Sequence, residues 1–359
     1  MPTPSKPKKD RLSPTNRYAH RSGAARAAGI VLGIAVLGAA VFAGYAVWSL
    51  LQSPAQPTQA ESDDGFADPS QGMAETESIE EILGAVQVYV REENFEAAQR
   101  VLEGAVATYP SDQELRLALG DLYLLTQQVG AAYEQYLAGI EIGPETWAAH
   151  FTAGTIANTL GQPEIAEVHY HSAMRLDPAN PETPLYLAAI QIKLNKLTDA
   201  KASLAMASKA DPDSPRAYAM RADIAMKENK PTIALEQVRK ARAIEPNALG
   251  LVLLEAKALN RMQEPQEAVD LLTALPLEHA VSPDVVTVLA ECLGMLGNFD
   301  DAASRMMDAA ERHPDNADLQ FETALWLQRA GRDREAVEWA QKAANGGSER
   351  AKQWLATLP

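Results

Sequence analysis

A chain of 359 residues with a single cysteine, Cys292, cannot close an intramolecular disulfide, and one thiol without neighbouring Cys and His makes no zinc site. Redox staples and a structural metal are thereby excluded as the means of holding the fold together. Aromatic residues are only 6% of the chain, and β-branched runs are scarce outside one N-terminal stretch, so a sheet-based core is disfavoured. No Asn-x-Ser/Thr sequon occurs, which removes one sign of passage through a eukaryotic secretory pathway. Phosphate-binding glycine loops, nucleophile elbows and HExxH are absent too. The six histidines, His20, His150, His169, His171, His279 and His313, form no zinc-like spacing with Cys or carboxylates. His169 and His171 lie about 200° apart around a helix, so they read as surface or packing residues. Cys292, between Leu289, Leu293 and Leu296, reads as a core residue and not a reactive thiol.

What is present points to helices. Hydrophobic residues make up 47%, enough for a sizeable core, and Ala, Leu, Glu and Gln dominate the last three quarters. The net charge of −16 is unevenly spread. Residues 1–26 carry Lys6, Lys8, Lys9, Arg11, Arg17, Arg21 and Arg26 against Asp10 alone, whereas residues 52–78 hold six acids and no base. Residues 79–359 contain 25 basic and 41 acidic residues, a surface that repels phosphates and predicts no nucleic-acid partner.

Between these charged segments, Ala27 to Leu51 is an uncharged stretch of 25 residues. About 20 helical residues cross a bilayer core, so the stretch predicts a transmembrane helix, with Tyr45 and Trp48 suited to the interface. A cleaved signal peptide is the alternative, but its apolar core is usually about 7 to 15 residues and no clean small-x-small site follows. Bases before the helix and acids after it predict a cytoplasmic N-terminus and an exported remainder. Gly29 and Gly33, then Ala40 and Gly44, are small residues four apart, and dimerisation through them remains an open alternative. Residues 52–78, with Pro54, Pro57, Pro69 and the acids, predict a disordered tether.

From residue 79 a 34-residue period emerges. Pro110, Pro144, Pro178, Pro212, Pro246 and Pro314 keep the step, with Ala280 at the skipped beat. Ala98, Ala132, Ala166, Ala200, Ala234, Ala268, Ala302 and Ala336 keep it without exception. Another small-residue column, Gly120, Gly154, Ala188, Ala222, Ala256, Ala290 and Ala324, is broken only by Val86. Small residues facing each other let two helices approach closely, so the two columns predict where the helices of each hairpin cross. Each Pro ends a second helix. Gly161, Asn195, Asn229, Gly297 and Gly331 predict left-handed stops between the helices, followed two places on by Pro163, Pro231 and Pro265 in their repeats.

Hairpins of 34 residues with these columns resemble the tetratricopeptide repeat family. The resemblance spans residues 79 to about 350, with repeats starting at Ile79, Gln113, Trp147, Pro181, Pro215, Leu249, Pro283 and Ala317. Tyr89, Tyr123, Tyr136 and Tyr170 stand at places the family gives to aromatics. The implied fold class is all-α, a right-handed α-solenoid of about eight hairpins preceded by the transmembrane helix and tether. Expected segments are 1–26 (basic, cytoplasmic), 27–51 (transmembrane), 52–78 (linker), 79–350 (repeats) and 351–359 (a cap, through Trp354 and Leu355). Pro276 falls inside the sixth second helix, so that hairpin is expected to end early or kink, as a degenerate repeat or a bend.

In this family partners are held by a concave surface lined by the first helices. The resemblance places one line of lining residues at Leu83, Leu117, Phe151, Leu185, Ala219, Leu253, Thr287 and Phe321. A second reads Gln87, Asp121, Thr155, Ala189, Asp223, Lys257, Glu291 and Leu325, and a third Arg91, Leu125, Thr159, Lys193, Lys227, Arg261, Met295 and Arg329. The candidate partner-binding residues are Leu117, Asp121, Phe151, Thr155, Leu185, Ala189, Lys193, Asp223, Lys227, Lys257 and Arg261. Lys193, Lys227 and Arg261 form a basic strip suited to an acidic segment or a C-terminal carboxylate; equally, they are cations complementing helix dipoles. The Lys–Asn pair of the chaperone-binding members is replaced by Leu83 and Gln87, so cytosolic heat-shock chaperone tails are not expected partners.

The expected role is non-catalytic and needs no cofactor: a membrane-anchored module binding partner proteins while an envelope complex assembles, in layout similar to anchored repeat proteins of cytochrome c maturation, pilus or secretion machinery. A self-associating scaffold is the alternative. The expected location is a bacterial inner membrane with the repeats in the periplasm; a mitochondrial membrane is the alternative, with the basic leader as a targeting segment.

Overall fold

The computed structural model describes residues 78–358. The expected basic segment, the expected transmembrane helix and all of the expected linker before Ser78 lie outside the described residues. Among the described residues all regular structure is helical, and no helix is long and apolar enough to cross a membrane. The chain divides into two compact units, the first ending at Asp177 and the second beginning at Pro178.

The first unit contains three hairpins: α1 (Ile79–Arg91) with α2 (Phe95–Thr108), α3 (Gln113–Leu125) with α4 (Val129–Ile142), and α5 (Trp147–Thr159) with α6 (Pro163–Leu176). Its first helices begin on capping side chains. Ser78 accepts from the Glu81 amide while Glu81 accepts from the Ser78 amide, and Asp112 and Thr146 cap α3 and α5. The second unit runs α7 (Glu182–Lys193), α8 (Leu197–Ala210), α9 (Pro215–Lys227), α10 (Pro231–Ile244), α11 (Leu249–Arg261), α12 (Pro265–Thr273), α13 (Leu277–Ala280), α14 (Pro283–Met295), α15 (Phe299–Arg312), α16 (Ala317–Arg329), α17 (Asp333–Asn345) and α18 (Glu349–Leu355).

In both units the two small-residue columns do what close helix packing requires. Every member of the all-alanine column is fully buried, as are Val86 and the alanines of the other column. At Gly120 the reason is visible: an added Cβ would stand 2.8 Å from the Tyr136 ring and 3.5 Å from the Ala132 carbonyl oxygen. Gly154 repeats the arrangement, with the Tyr170 ring at 3.1 Å and the Ala166 carbonyl at 3.3 Å. One helix thus rests its alanine on the other's glycine, and a tyrosine ring fills the remaining space.

The inner turns are equally regular. Gly161, Asn195, Asn229, Gly297 and Gly331 all have positive φ, between 58° and 79°. Glu93, Gln127 and Gln263 adopt the same left-handed conformation in the remaining hairpins, at φ 58°, 61° and 64°. Sequence reading missed these three because Glu and Gln are not residues that favour it. Each pays about 1–2 kcal/mol for a Cβ crowded against the following carbonyl, offset because the turn's two hydrogen bonds stop one helix and start the next.

The sixth hairpin departs from the others as Pro276 requires. Its second helix α12 has 9 residues where α10 has 14. The proline offers no amide and disfavours helical backbone at Leu275, and the chain re-enters through the four-residue α13, leaving Leu277 exposed. At the C-terminal end α18, capped by Ser348, buries Ala351 and sets Trp354 edge-on to Phe321 at 6.4 Å.

Candidate protein-binding face

Neighbouring first helices pack side by side, α1 with α3 in the first unit and α7 with α9, α9 with α11 and α11 with α14 in the second. Residues of the first line are half-buried or buried, those of the second mostly half-buried, and those of the third mostly exposed.

In the first unit the inner residues serve the fold. Leu117 lies half-buried against Gly139 of α4, where an added Cβ would stand 3.0 Å from its Cδ2, and Phe151 stacks on Trp147 at 5.0 Å and meets the Tyr170 ring at 5.5 Å. Asp121 accepts a hydrogen bond from the Tyr136 hydroxyl, and Thr155 shares one of 3.0 Å with the Tyr170 hydroxyl. Each bond crosses a hairpin, from first helix to second. Burial pushes the Asp121 carboxyl up to about 7, with the Tyr136 bond opposing, and the same burial and the Asp121 charge raise Tyr136 well above its ordinary range.

A second polar cluster lies between α4, α5 and α6. His150 and His169 are buried with their Nδ1 atoms 3.2 Å apart, and the Tyr133 hydroxyl stands 3.4 Å from His169 Nε2. Desolvation, helped by His150, lowers His169 to about 4, and desolvation lowers His150 as well. These are packing residues, and sequence spacing gave no notice that they pair. Among the described residues no three His, Cys, Asp or Glu side chains converge to hold a metal ion. Cys292 is fully buried, and that burial pushes its thiol up to about 12.

The second unit carries the more open face. Here Leu185 corrects the expected lining: it is only 3% exposed, a core residue with almost no surface to offer. Ala189 and Asp223 are half-buried. Burial raises the Asp223 carboxyl, opposed by the charges of Lys227 and Lys257. Lys193, Lys227 and Arg261 are exposed in the last turns of α7, α9 and α11, and Lys257 is half-buried one turn earlier in α11. Two repeats further on, Arg329 holds the same place in α16 and lies over the Trp326 ring at 4.5 Å. Between them the place falls to Met295, exposed beside Leu296 and Phe299.

An open cleft of about 590 Å³ lies here, lined by Asn260, Glu291, Gly294, Met295, Phe299, Trp326 and Arg329. Gly294 permits it: an added Cβ would stand 2.5 Å from the Trp326 ring. Sequence reading set Glu291, Met295 and Arg329 on the lining but did not single out Asn260, Gly294, Phe299 or Trp326. The signal was an interruption, an apolar residue in a cationic column with a glycine one place before it.

Outside the face, the second unit holds a charge cluster around the buried Glu255. Glu255 on α11 accepts from Arg239 at 2.8 Å and from Arg242, both on α10, and Arg239 also reaches Glu267 at 2.5 Å.

Comparison with known proteins agrees with this architecture. Tetratricopeptide repeat models match residues 83–145, 159–224 and 288–351, together more than half of the chain. No curated protein matches in sequence. Among solved structures, the chain is similar to a tetratricopeptide repeat protein from Parabacteroides merdae, at 15% identity and a TM-score of 0.55, over 65% of this chain and 92% of that one. It is also similar to yeast Tom70, at 17% identity and a TM-score of 0.50, over 81% of this chain and 65% of that one. At such identities the likeness concerns the fold alone. With the repeat models covering most of its hairpins, the chain belongs to the tetratricopeptide repeat family.

Proposed function

We propose that this chain is a membrane-anchored receptor for segments of other proteins, which it holds on the first-helix face of its second unit while an envelope complex assembles. Tetratricopeptide repeats are protein–protein interaction modules. The observation that carries the reading is the exposed line Lys193, Lys227, Arg261, Met295 and Arg329, an open and mostly cationic row on a chain of net charge −16. Such a row attracts acidic segments, and the half-buried residues beside it supply apolar contact. Binding and not catalysis is what these side chains suit.

The anchor rests on sequence: seven bases, then 25 uncharged residues, then six acids. That order favours an N-terminus on the cytoplasmic side and repeats on the far side, the periplasm of a bacterium. Protease protection of the repeats in intact cells, lost when the outer barrier is opened, checks this orientation; digestion of the repeats from the cytoplasmic side would refute it.

Photo-crosslinking tests the binding face. A photoreactive residue at Ala189, with Lys240 on the second helix α10 as the control position, is expected to give a discrete adduct from Ala189 only. That adduct is expected to weaken with Lys227→Glu. Adducts from Lys240 and none from Ala189 would overturn the reading in favour of a scaffold that associates through other surfaces.

A further inference from the structure

The repetition within the chain shows what the outer face of α1 is shaped to meet. Inside each unit, a first helix that follows another hairpin packs on the second helix before it: α3 on α2, α5 on α4, α9 on α8, α11 on α10, α14 on α12 and α16 on α15. In those six helices the residues at the place of Val88 are Leu122, Ile156, Ile224, Ala258, Cys292 and Trp326, none more than 5% exposed. Val88 itself is 49% exposed. Beside it on α1 stand Gly84 and Tyr89, both half-buried, and Glu81, Ala85 and Glu92, all exposed. At about 100° per residue these six side chains share an arc of about 140°, so they form one face. An added Cβ at Gly84 would meet nothing within 4 Å. Small residues next to a valine and a tyrosine suit the close approach of a further helix, and two carboxylates stand among them.

We infer that this face of α1 docks a basic amphipathic helix of another protein, which takes the place that a preceding second helix takes elsewhere in the chain. Charge selects this occupant over two nearer ones. Residues 52–77 hold six acids and no base, so Glu81 and Glu92 repel them, and Pro54, Pro57, Gly65, Pro69 and Gly72 interrupt their sequence too often for an amphipathic helix. A second copy packed through the same face would bring the same two glutamates to it. A foreign helix with an apolar stripe flanked by Lys or Arg sets its large side chains over Gly84 and Ala85, against Val88 and Tyr89, and its cations beside Glu81 and Glu92. The face belongs to the first unit alone and shares no residue with the cationic row of the second, so it is a separate surface for a separate partner.

The test is fluorescence anisotropy of the full chain, in mild detergent, with a labelled helical peptide of about 18 residues, long enough to hold its own helix. The peptide is built of Ala and Lys with Leu at every third and fourth place. One comparator has the same residues with the Leu scattered, and the other has Glu for Lys. The expected result is about tenfold tighter binding of the striped basic peptide than of either comparator. Gly84→Leu fills the face from a position with open space around it, so the fold is kept, and it is expected to weaken binding about tenfold. Glu92→Lys is expected to do the same, and Asp308→Lys on the exposed side of α15 to change nothing. A photoreactive residue at Ala85 is expected to capture the peptide, and one at the exposed Ala107 of α2 is not. Equal binding of striped and scattered peptides, or binding indifferent to Gly84→Leu, would overturn the docking face. An Ala85 adduct formed without the peptide, to a second copy or to residues 52–77, would overturn a foreign partner.

Discussion

Replacing Asp121 by Asn is expected to stabilise the first unit at neutral pH, although it removes one end of a buried hydrogen bond. The carboxyl is raised from the ordinary 3.8 to about 7, so the unfolded chain loses this proton at much lower pH than the folded one. Between those values the folded state holds more protons, and stability falls as pH rises through the window. At about 1.36 kcal/mol per pKa unit the span sets a ceiling of about 4 kcal/mol. Asp121 keeps some contact with solvent, which brings the expected effect to about 1–3 kcal/mol. Asn keeps an acceptor for the Tyr136 hydroxyl without a charge to desolvate. Hydrogen exchange of the α3 and α4 amides, measured for both chains, isolates the first unit. The variant is expected to match the wild type at pH 4 and exceed its protection at pH 8. A variant equal to or weaker than the wild type at pH 8 would refute the reasoning and mean that the Tyr136 bond stabilises the ionised carboxylate.

Four further outcomes are expected. His169 titrates with the opposite sign: lowered to about 4, it stays neutral in the fold, so wild-type stability falls as pH drops below about 6.5 towards 4. His169→Gln is expected to flatten that slope in the same exchange experiment. Gln263→Gly relieves a left-handed backbone and is expected to raise the urea midpoint, by about 1 kcal/mol of stability, whereas Gly161→Ala lowers it by a similar amount. Gly120→Ala forces the buried Tyr136 ring to move and is expected to destabilise by about 1–3 kcal/mol, while Gly84→Ala, with open space around it, stabilises by about 0.5–1 kcal/mol in thermal unfolding. Glu255→Ala leaves the half-buried Arg242 without its anion and is expected to lower second-unit stability by about 3 kcal/mol, read from exchange of the α10 amides.

Much of the hairpin architecture is legible in the sequence because close helix crossings tolerate only small residues. The alanine and glycine columns mark those crossings repeat by repeat, and Pro276 announces the shortened α12. What escapes is chemistry that joins positions of different columns. Asp121 with Tyr136, and Thr155 with Tyr170, are each 15 residues apart, while His150 with His169 and Arg116 with Gln135 are 19 apart. Columns read one at a time do not pair them; columns read in pairs across a hairpin do. Of the proposed binding face, the outer line is the part whose exposure the sequence foretells. Lys193, Lys227 and Arg261 are exposed as their place in the last helical turn requires, but Leu185 turned inward because apolar residues at that boundary position follow the local packing. The cleft escaped for another reason, since it depends on a missing Cβ at Gly294 and a Trp326 ring from the first helix of the next hairpin.

The central claim is that the first helices of the second unit hold a partner segment. Hydrogen exchange of the chain, alone and with the partner recovered through Ala189, tests it most directly. The account predicts added protection in the last turns of α7, α9, α11, α14 and α16, with α8, α10 and α15 unchanged. Protection confined to the second helices, or none in either set, would contradict it.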